Sequence, residues 1–288
     1  MRVGQVLGVN LRVHYLFLLW LLVSLTLGDA TLTLVMLFSV LVHELGHMFA
    51  AQNLGLEVEE IELMPFGGVA KLRGFASGDP AEEATLALGG PANSLVLLVI
   101  GLFYYGAPWG VALLESNVLL LLVNLLPILP LDGGRILRSY CVGQDGLGAG
   151  TRRVLTHTFR AVWIFLGAAT VFFLLGVVSI NAVALALFLL HAARQEKKMF
   201  PYMLMNYVTT RTAELWHKRV LPGKLVMVLS DTSAAEAVEA MTPGCYHVFN
   251  VVRPNGEVLT VSEDLLCRAL LAKGTVLTFS DIVNDRRL

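Results

Sequence analysis

The 288 residues are 56% hydrophobic and only 15% charged, with a mean hydropathy of +0.70. Such a chain is too apolar for a soluble globular domain and fits a polytopic α-helical membrane protein with a small water-soluble part attached. A formal net charge of −1 gives no reason to expect a nucleic-acid partner, and Cys141, Cys245 and Cys267 are too scattered for a disulfide framework or a zinc ribbon.

Six apolar stretches, at 13–29, 31–53, 82–105, 111–135, 158–177 and 179–194, match the length of about 20 helical residues that crosses a bilayer. The first follows Arg12 without a small-residue cleavage site behind it and reads as a retained span. Arg2, Arg12, Lys71, Arg73, Arg138, Arg152, Arg153, Lys197 and Lys198 fall on one side, and the turns near Asp29, Tyr105 and Ser179 hold no cation. That asymmetry places both termini in the cytoplasm. The expected division is a membrane domain at 1–196, an interfacial linker rich in Tyr, Met and Trp at 197–221, and a soluble α+β domain at 222–288.

The second stretch carries His43-Glu44-Leu45-Gly46-His47. Residues four apart share one helix face, so His43 and His47 can present two imidazoles to one metal. Glu44 is displaced round the helix, where a carboxylate can activate water without being a ligand. Leu32 to Val42 and Met48 to Ala51 carry no charge. Ionisable groups on so apolar a helix are costly unless they face a polar site inside the bundle.

Between the second and third stretches, Val58, Ile61 and Leu63 lie among glutamates roughly in strand alternation, followed by Pro65-Phe66-Gly67-Gly68 and Val69 to Arg73. Proline and two glycines force a turn, so 58–73 reads as a β-hairpin at membrane level, offering an edge to which an extended segment could add.

Two histidines leave a catalytic zinc one protein ligand short. The fourth stretch supplies a carboxylate in Asn124-Leu125-Leu126-Pro127-Ile128-Leu129-Pro130-Leu131-Asp132-Gly133-Gly134, where prolines and glycines break the helix. At the helical rise, His43 lies about 18 Å and Asp132 about 22 Å into the membrane from the same side, so the two levels agree. Asn124 is a candidate oxyanion donor or a holder of substrate backbone. His14, at the interfacial start of the first stretch, reads as an interfacial residue or else a ligand or proton relay; His157, His191, His217 and His247 sit at span ends or in the soluble part and need no special role, and Asn93 reads as an interhelical hydrogen-bonding or packing residue. In the tail, Ser233 to Glu236 form a capping box. Strands are expected at 224–229, 246–252 and 258–261, and helices from 233 to about 241 and at 263–272.

HELGH on one apolar segment and Asn124-x-x-Pro127-x-x-x-Leu131-Asp132-Gly133 on a later one resemble the site-2 protease family of intramembrane zinc metalloproteases. The Pro65 to Gly68 ribbon, Gly89-Gly90-Pro91-Ala92-Asn93 and the soluble tail look closest to the stage IV sporulation protease type of endospore-forming bacteria. That resemblance implies one zinc on His43, His47 and Asp132, with Glu44 as general base. It also implies a substrate path along Asn124, Pro130, Phe66, Gly67 and Gly68. It further implies a membrane-associated substrate such as a tethered transcription-factor (pro-sigma-factor-like) precursor, inhibitory membrane partners, and a place in the bacterial cell or forespore membrane. The tail resembles one cystathionine-β-synthase (CBS) module, which implies pairing between two chains and an adenine nucleotide such as ATP as ligand. This copy departs from the module's pattern at Val261. The competing expectations are a CBS-regulated ion transporter and a catalytically silent substrate binder; an intact Glu44 speaks against the second.

Overall fold

The computed structural model describes residues 2–6, 9–13, 26, 30–64, 67–73, 79–217, 220–274 and 277–284. The elements are β1 (Arg2–Val6), β2 (Val9–Val13), α1 (Ala30–Asn53), β3 (Glu57–Met64), β4 (Gly67–Arg73), α2 (Pro80–Phe103), α3 (Pro108–Asn124), α4 (Asp132–Asp145), α5 (Leu147–Leu174) and α6 (Ile180–His217). There follow β5 (Gly223–Leu229), α7 (Ala234–Ala240), β6 (Tyr246–Val252), β7 (Val258–Ser262), α8 (Glu263–Lys273) and α9 (Phe279–Asn284). The chain forms two compact units, one of residues 1–75, 81–137 and 158–193, the other of 76–80, 138–157 and 194–288.

In the first unit, α1 and α2, at 24 residues each, and α5, at 28 residues, are long and apolar enough to cross a membrane. The expected stretch at 13–29 lies almost wholly outside the described residues. Leu95, Val96 and Leu102 on α2, Leu119 and Leu122 on α3, and Ile164 and Val171 on α5 face outward. In water these would be a large apolar patch, whereas against acyl chains they cost nothing.

The fourth stretch corrects the expectation of one broken helix over 111–135. α3 stops at Asn124, residues 125–131 are irregular, and Asp132 opens a separate helix that runs on to Asp145. Pro127 and Pro130 remove two backbone donors, so the helix cannot pass through. The irregular segment stays buried because its polar groups find partners and its side chains find a core. Leu129 N–H donates to Thr158 Oγ1 at 3.1 Å, and Ile128 and Leu131 pack with Val162, Leu189 and Leu190. A Cβ at Gly133 would strike the carbonyls of Leu125 and Leu126, so only glycine lets α4 start against this segment.

The expected ribbon is there. β3 and β4 pair antiparallel, with Met64 opposite Gly67 and Leu63 opposite Gly68. It belongs to a four-stranded sheet in the order β1-β2-β3-β4, in which β2 runs parallel to β3. β1 and β2 are additions to the expected fold.

In the second unit, a three-stranded sheet in the order β5-β6-β7 carries α7, α8 and α9. Ser233 caps α7, its hydroxyl accepting from Glu236 N–H, and Ser262 caps α8 in the same way through Leu265 N–H. Phe249, Val251, Leu266 and Phe279 are fully buried, and Val142, Leu147, Tyr207 and Val208 complete their core. Residues 197–217, expected as a linker, are the second half of the continuous helix α6.

Beneath β6 lies a buried polar network. Arg211 Nε donates to Glu263 Oε1, while His247 donates to Glu263 Oε2 from its backbone N–H at 2.6 Å and from Nδ1 at 3.0 Å. Thr242 N–H donates to His247 Nε2 at 3.0 Å, so both ring nitrogens are satisfied. Burial by itself would raise the Glu263 carboxyl, but the hydrogen bonds from His247 and Arg211 outweigh it and hold the group below its ordinary value. Burial pushes the Cys267 thiol up to about 12, with Glu263 and Asp264 adding to the effect.

Glu263→Ala leaves the Arg211 guanidinium buried without its carboxylate and should cost about 3–5 kcal/mol, read as a fall in the thermal midpoint of the purified protein. Because the folded carboxyl titrates below its unfolded value, its contribution is complete above the ordinary carboxylate range and is lost as pH falls through the lower folded value. Thermal midpoints of the native protein should therefore fall more steeply on acidification than those of Glu263→Gln; equal slopes would contradict this role.

Candidate metal centre

The site is assembled from three helices of the first unit. α1 presents His43, Glu44 and His47 from a helix with no acidic residue in its first turn and no basic residue in its last. His43 is 2% exposed, Glu44 8% and Asp132 6%, so all three are withdrawn from solvent. The ring centroids of His43 and His47 are 4.9 Å apart and nearly perpendicular, as one helical turn between them requires.

α2 orients both imidazoles. His47 Nδ1 lies 2.7 Å from the Leu86 carbonyl, which can only accept, so Nδ1 carries the proton and Nε2 the lone pair. His43 Nδ1 is hydrogen-bonded to Ser94 Oγ at 2.9 Å, which holds that ring with its Nε2 toward Asp132. Asn93 Nδ2 donates to the Val42 carbonyl at 2.8 Å and ties α2 to α1 one residue before the motif.

α4 brings the carboxylate. Asp132 Oδ2 is 3.2 Å from His43 Nε2, Oδ1 is 3.4 Å from His47 Nε2, and the two Nε2 atoms are 3.2 Å apart. Three atoms able to ligate a metal therefore converge, and a divalent cation among them would answer the carboxylate and both nitrogens at once. Tetrahedral ligands at 2.0–2.1 Å from zinc stand about 3.3 Å from one another, so the observed separations fit that ion. Two imidazoles and one carboxylate are also the borderline N/O donor set that zinc favours. These are the described residues that could hold a metal, and they are the three expected from the sequence.

The remaining expected residues are placed as follows. Asn124 closes α3 and is partly buried, and Pro130 stands in the 125–131 segment, also partly buried. Gly67 and Gly68 open β4, and Phe66 lies outside the described residues. Sequence reasoning passed over Ser94 and used Gly90 only as part of the Gly89 to Asn93 resemblance, without a role at the site. Ser94 follows Gly90 by one turn on an otherwise apolar face, a signal that reads equally well as helix packing. Gly90 is needed for space, because a Cβ there would collide with Nε2 of both His47 and His43.

Comparison with known proteins agrees with this geometry. Residues 31–116 match the model of peptidase family M50. The chain is 30% identical over 276 residues to zinc metalloprotease MJ0392 of Methanocaldococcus jannaschii, covering 90% of this chain and 76% of that protein. It is 31% identical over 145 residues to stage IV sporulation protein FB of Bacillus subtilis, covering 46% and 48% of the two chains. Putative zinc metalloprotease Rip3 of Mycobacterium tuberculosis is 40% identical over 124 residues, or 38% of this chain and 31% of that one. The solved site-2 protease from Methanocaldococcus jannaschii superposes with a TM-score of 0.52 at 29% identity, over 68% of this chain and 94% of that one.

Gly90→Ala tests the packing around the donors. The added methyl displaces both imidazoles, and a misplacement on the order of 1 Å should cut proteolytic turnover by about 100-fold and weaken zinc retention on dialysis. Unchanged zinc content with unchanged turnover would contradict the placement of α2 against the ligands. With its donor set, its apolar helices and its relatives all in agreement, the chain belongs to the site-2 protease (peptidase M50) family and is a zinc metalloprotease of that type.

Proposed function

We propose that the protein is a multi-pass intramembrane endopeptidase that cuts a membrane-associated protein within or near the bilayer. The observation that carries this is the meeting of His43, His47 and Asp132 at the spacing of tetrahedral ligands, on helices whose outer faces suit lipid. The proposal includes all six spans and cytoplasmic termini, supported by the one-sided distribution of Lys and Arg.

His43, His47 and Asp132 would hold the zinc ion. When bound, the ion supplies Lewis-acid chemistry, acidifying a water and polarising a peptide carbonyl. Glu44 takes a proton from the attacking water as its oxygen bonds to the carbonyl carbon, then returns the proton to the departing amine nitrogen as the C–N bond breaks. Nδ1 hydrogen bonds to Leu86 and Ser94 keep both imidazoles turned toward the ion throughout. A helical substrate hides its carbonyls, so it has to be unwound first. Among the described residues β4 is the last strand of its sheet, and its edge, beginning at Gly67 and Gly68, is where an extended segment would add. Asn124, Pro130 and Phe66 are proposed along that path.

Similarity to the Bacillus subtilis sporulation protein supports a substrate of the tethered transcription-factor kind, with inhibitory membrane partners. The tail's strand–helix–strand–strand–helix order supports a CBS-like module with an adenine nucleotide as its expected ligand. Leu225, Met227 and Leu229 stand exposed on one face of β5, which supports pairing of two tails into a homo-oligomer.

Glu44→Gln decides the mechanism. Co-reconstituted with membrane-tethered precursor proteins, the variant should lose cleavage by about 100- to 10,000-fold while retaining one zinc per chain. Persistent cleavage would discard Glu44 as the base.

A further inference from the structure

α6 is one continuous helix of 38 residues, and a single face of it stays exposed along much of its length. Ile180 and Leu187 stand on that face in the apolar part. Arg194, Lys198, Tyr202 and Met205 continue it at steps of four, four and three residues, all of them exposed. The opposite face is occupied. Met203, Leu204, Tyr207 and Val208 pack into the core of the second unit, and the Phe200 ring lies 5.9 Å from the Arg152 guanidinium. Glu196, the acid of this stretch, lies off the exposed face and meets Arg138 at 3.7 Å. The exposed face therefore presents two cations and no carboxylate, followed by a tyrosine and a methionine.

We propose that the Arg194, Lys198 and Tyr202 face of α6 binds the headgroup of an anionic phospholipid. Depth along the helix supports it. A hydrocarbon core about 30 Å thick takes about 20 residues at the helical rise, so α6, counted from Ile180, leaves the core close to Phe200. Arg194 and Lys198 stand just inside that limit, and their long stems run along the helix toward the phosphate layer. Tyr202 and Met205 stand within about 8 Å beyond it, the depth of the headgroup layer, where a ring with a polar tip is favoured. Charge supports it as well, since two neighbouring cations without an acid beside them match a phosphodiester that bears no compensating ammonium. Because the same turns carry Met203 and Leu204 into the second unit's core, a headgroup held here couples that unit to the lipid composition of the leaflet. The proposal rests on the reading of α6 as a membrane span and is independent of the proteolytic mechanism.

The test is native mass spectrometry of the full-length, zinc-loaded protein in micelles. It is titrated with dioleoyl phosphatidylglycerol and separately with dioleoyl phosphatidylcholine, which has the same chains and no net charge. The native protein should bind its first phosphatidylglycerol about 30-fold more tightly, the worth of two cations at about fivefold each. Arg194→Gln/Lys198→Gln should lose that preference. Arg268→Gln/Lys273→Gln, which removes the same charge from exposed positions on α8, should keep it. Unaltered zinc content shows that each variant is folded. Equal affinity for the two lipids in the native protein, an unchanged preference in Arg194→Gln/Lys198→Gln, or the same loss in both double variants overturns the proposal. Micellar protein meets lipid from either side, so the result does not depend on which side is cytoplasmic. Protease digestion of an external tail in sealed vesicles would overturn the cytoplasmic placement of the termini and not the headgroup surface.

Discussion

Two imidazoles and a carboxylate converging on one point, inside a layer of apolar helices, form the constraint from which the rest of the first unit follows. Such a donor set suits a divalent cation at its centre. Each feature around it maintains that convergence. Leu86 and Ser94 occupy the Nδ1 positions, so the Nε2 atoms cannot turn away. Gly90 clears the space in front of them, and Gly133 lets α4 begin where its first carboxylate reaches them.

Irregular backbone beside this cluster is tolerated because its polar groups find protein partners. Residues 125–131 lose donors at Pro127 and Pro130, yet Thr158 answers the Leu129 N–H and a core around Val162 and Leu189 covers the apolar side chains. Non-helical chain inside a membrane survives only when protein satisfies it in this way. The second unit solves its own burial problem differently. There a guanidinium, a carboxylate and an imidazole neutralise and saturate one another, and removing one partner strands the others.

The meeting of His43, His47 and Asp132 was legible because helical spacing is strict: His43 and His47 share a face, and Asp132 is a carboxylate in a later stretch where two prolines and two glycines stand close together. The tail elements were legible from Ser233 as a cap and from short β-branched runs between turns, whereas the cap at Ser262 was not read. β2 was not, although Val9, Leu11 and Val13 alternate, because its pairing with β3 joins segments far apart in sequence and local pattern cannot show it, and β1, its hairpin partner, was missed with it. The end of α3 at Asn124 was misjudged because apolar residues continue through the 125–131 segment, so hydropathy persists where the helix does not. Ser94 was missed because one hydroxyl in an apolar helix looks alike whether it packs or orients a ligand. Phe66 falls outside the described residues and stays with the proposed substrate path.

Zinc K-edge X-ray absorption on the purified full-length protein measures the shared ion directly. The expected spectrum is one zinc per chain with four nitrogen or oxygen neighbours at about 2.0–2.1 Å and the multiple-scattering signature of two imidazoles. A sulfur neighbour, a single imidazole, or a protein that holds no zinc would contradict the meeting of His43, His47 and Asp132 around one ion.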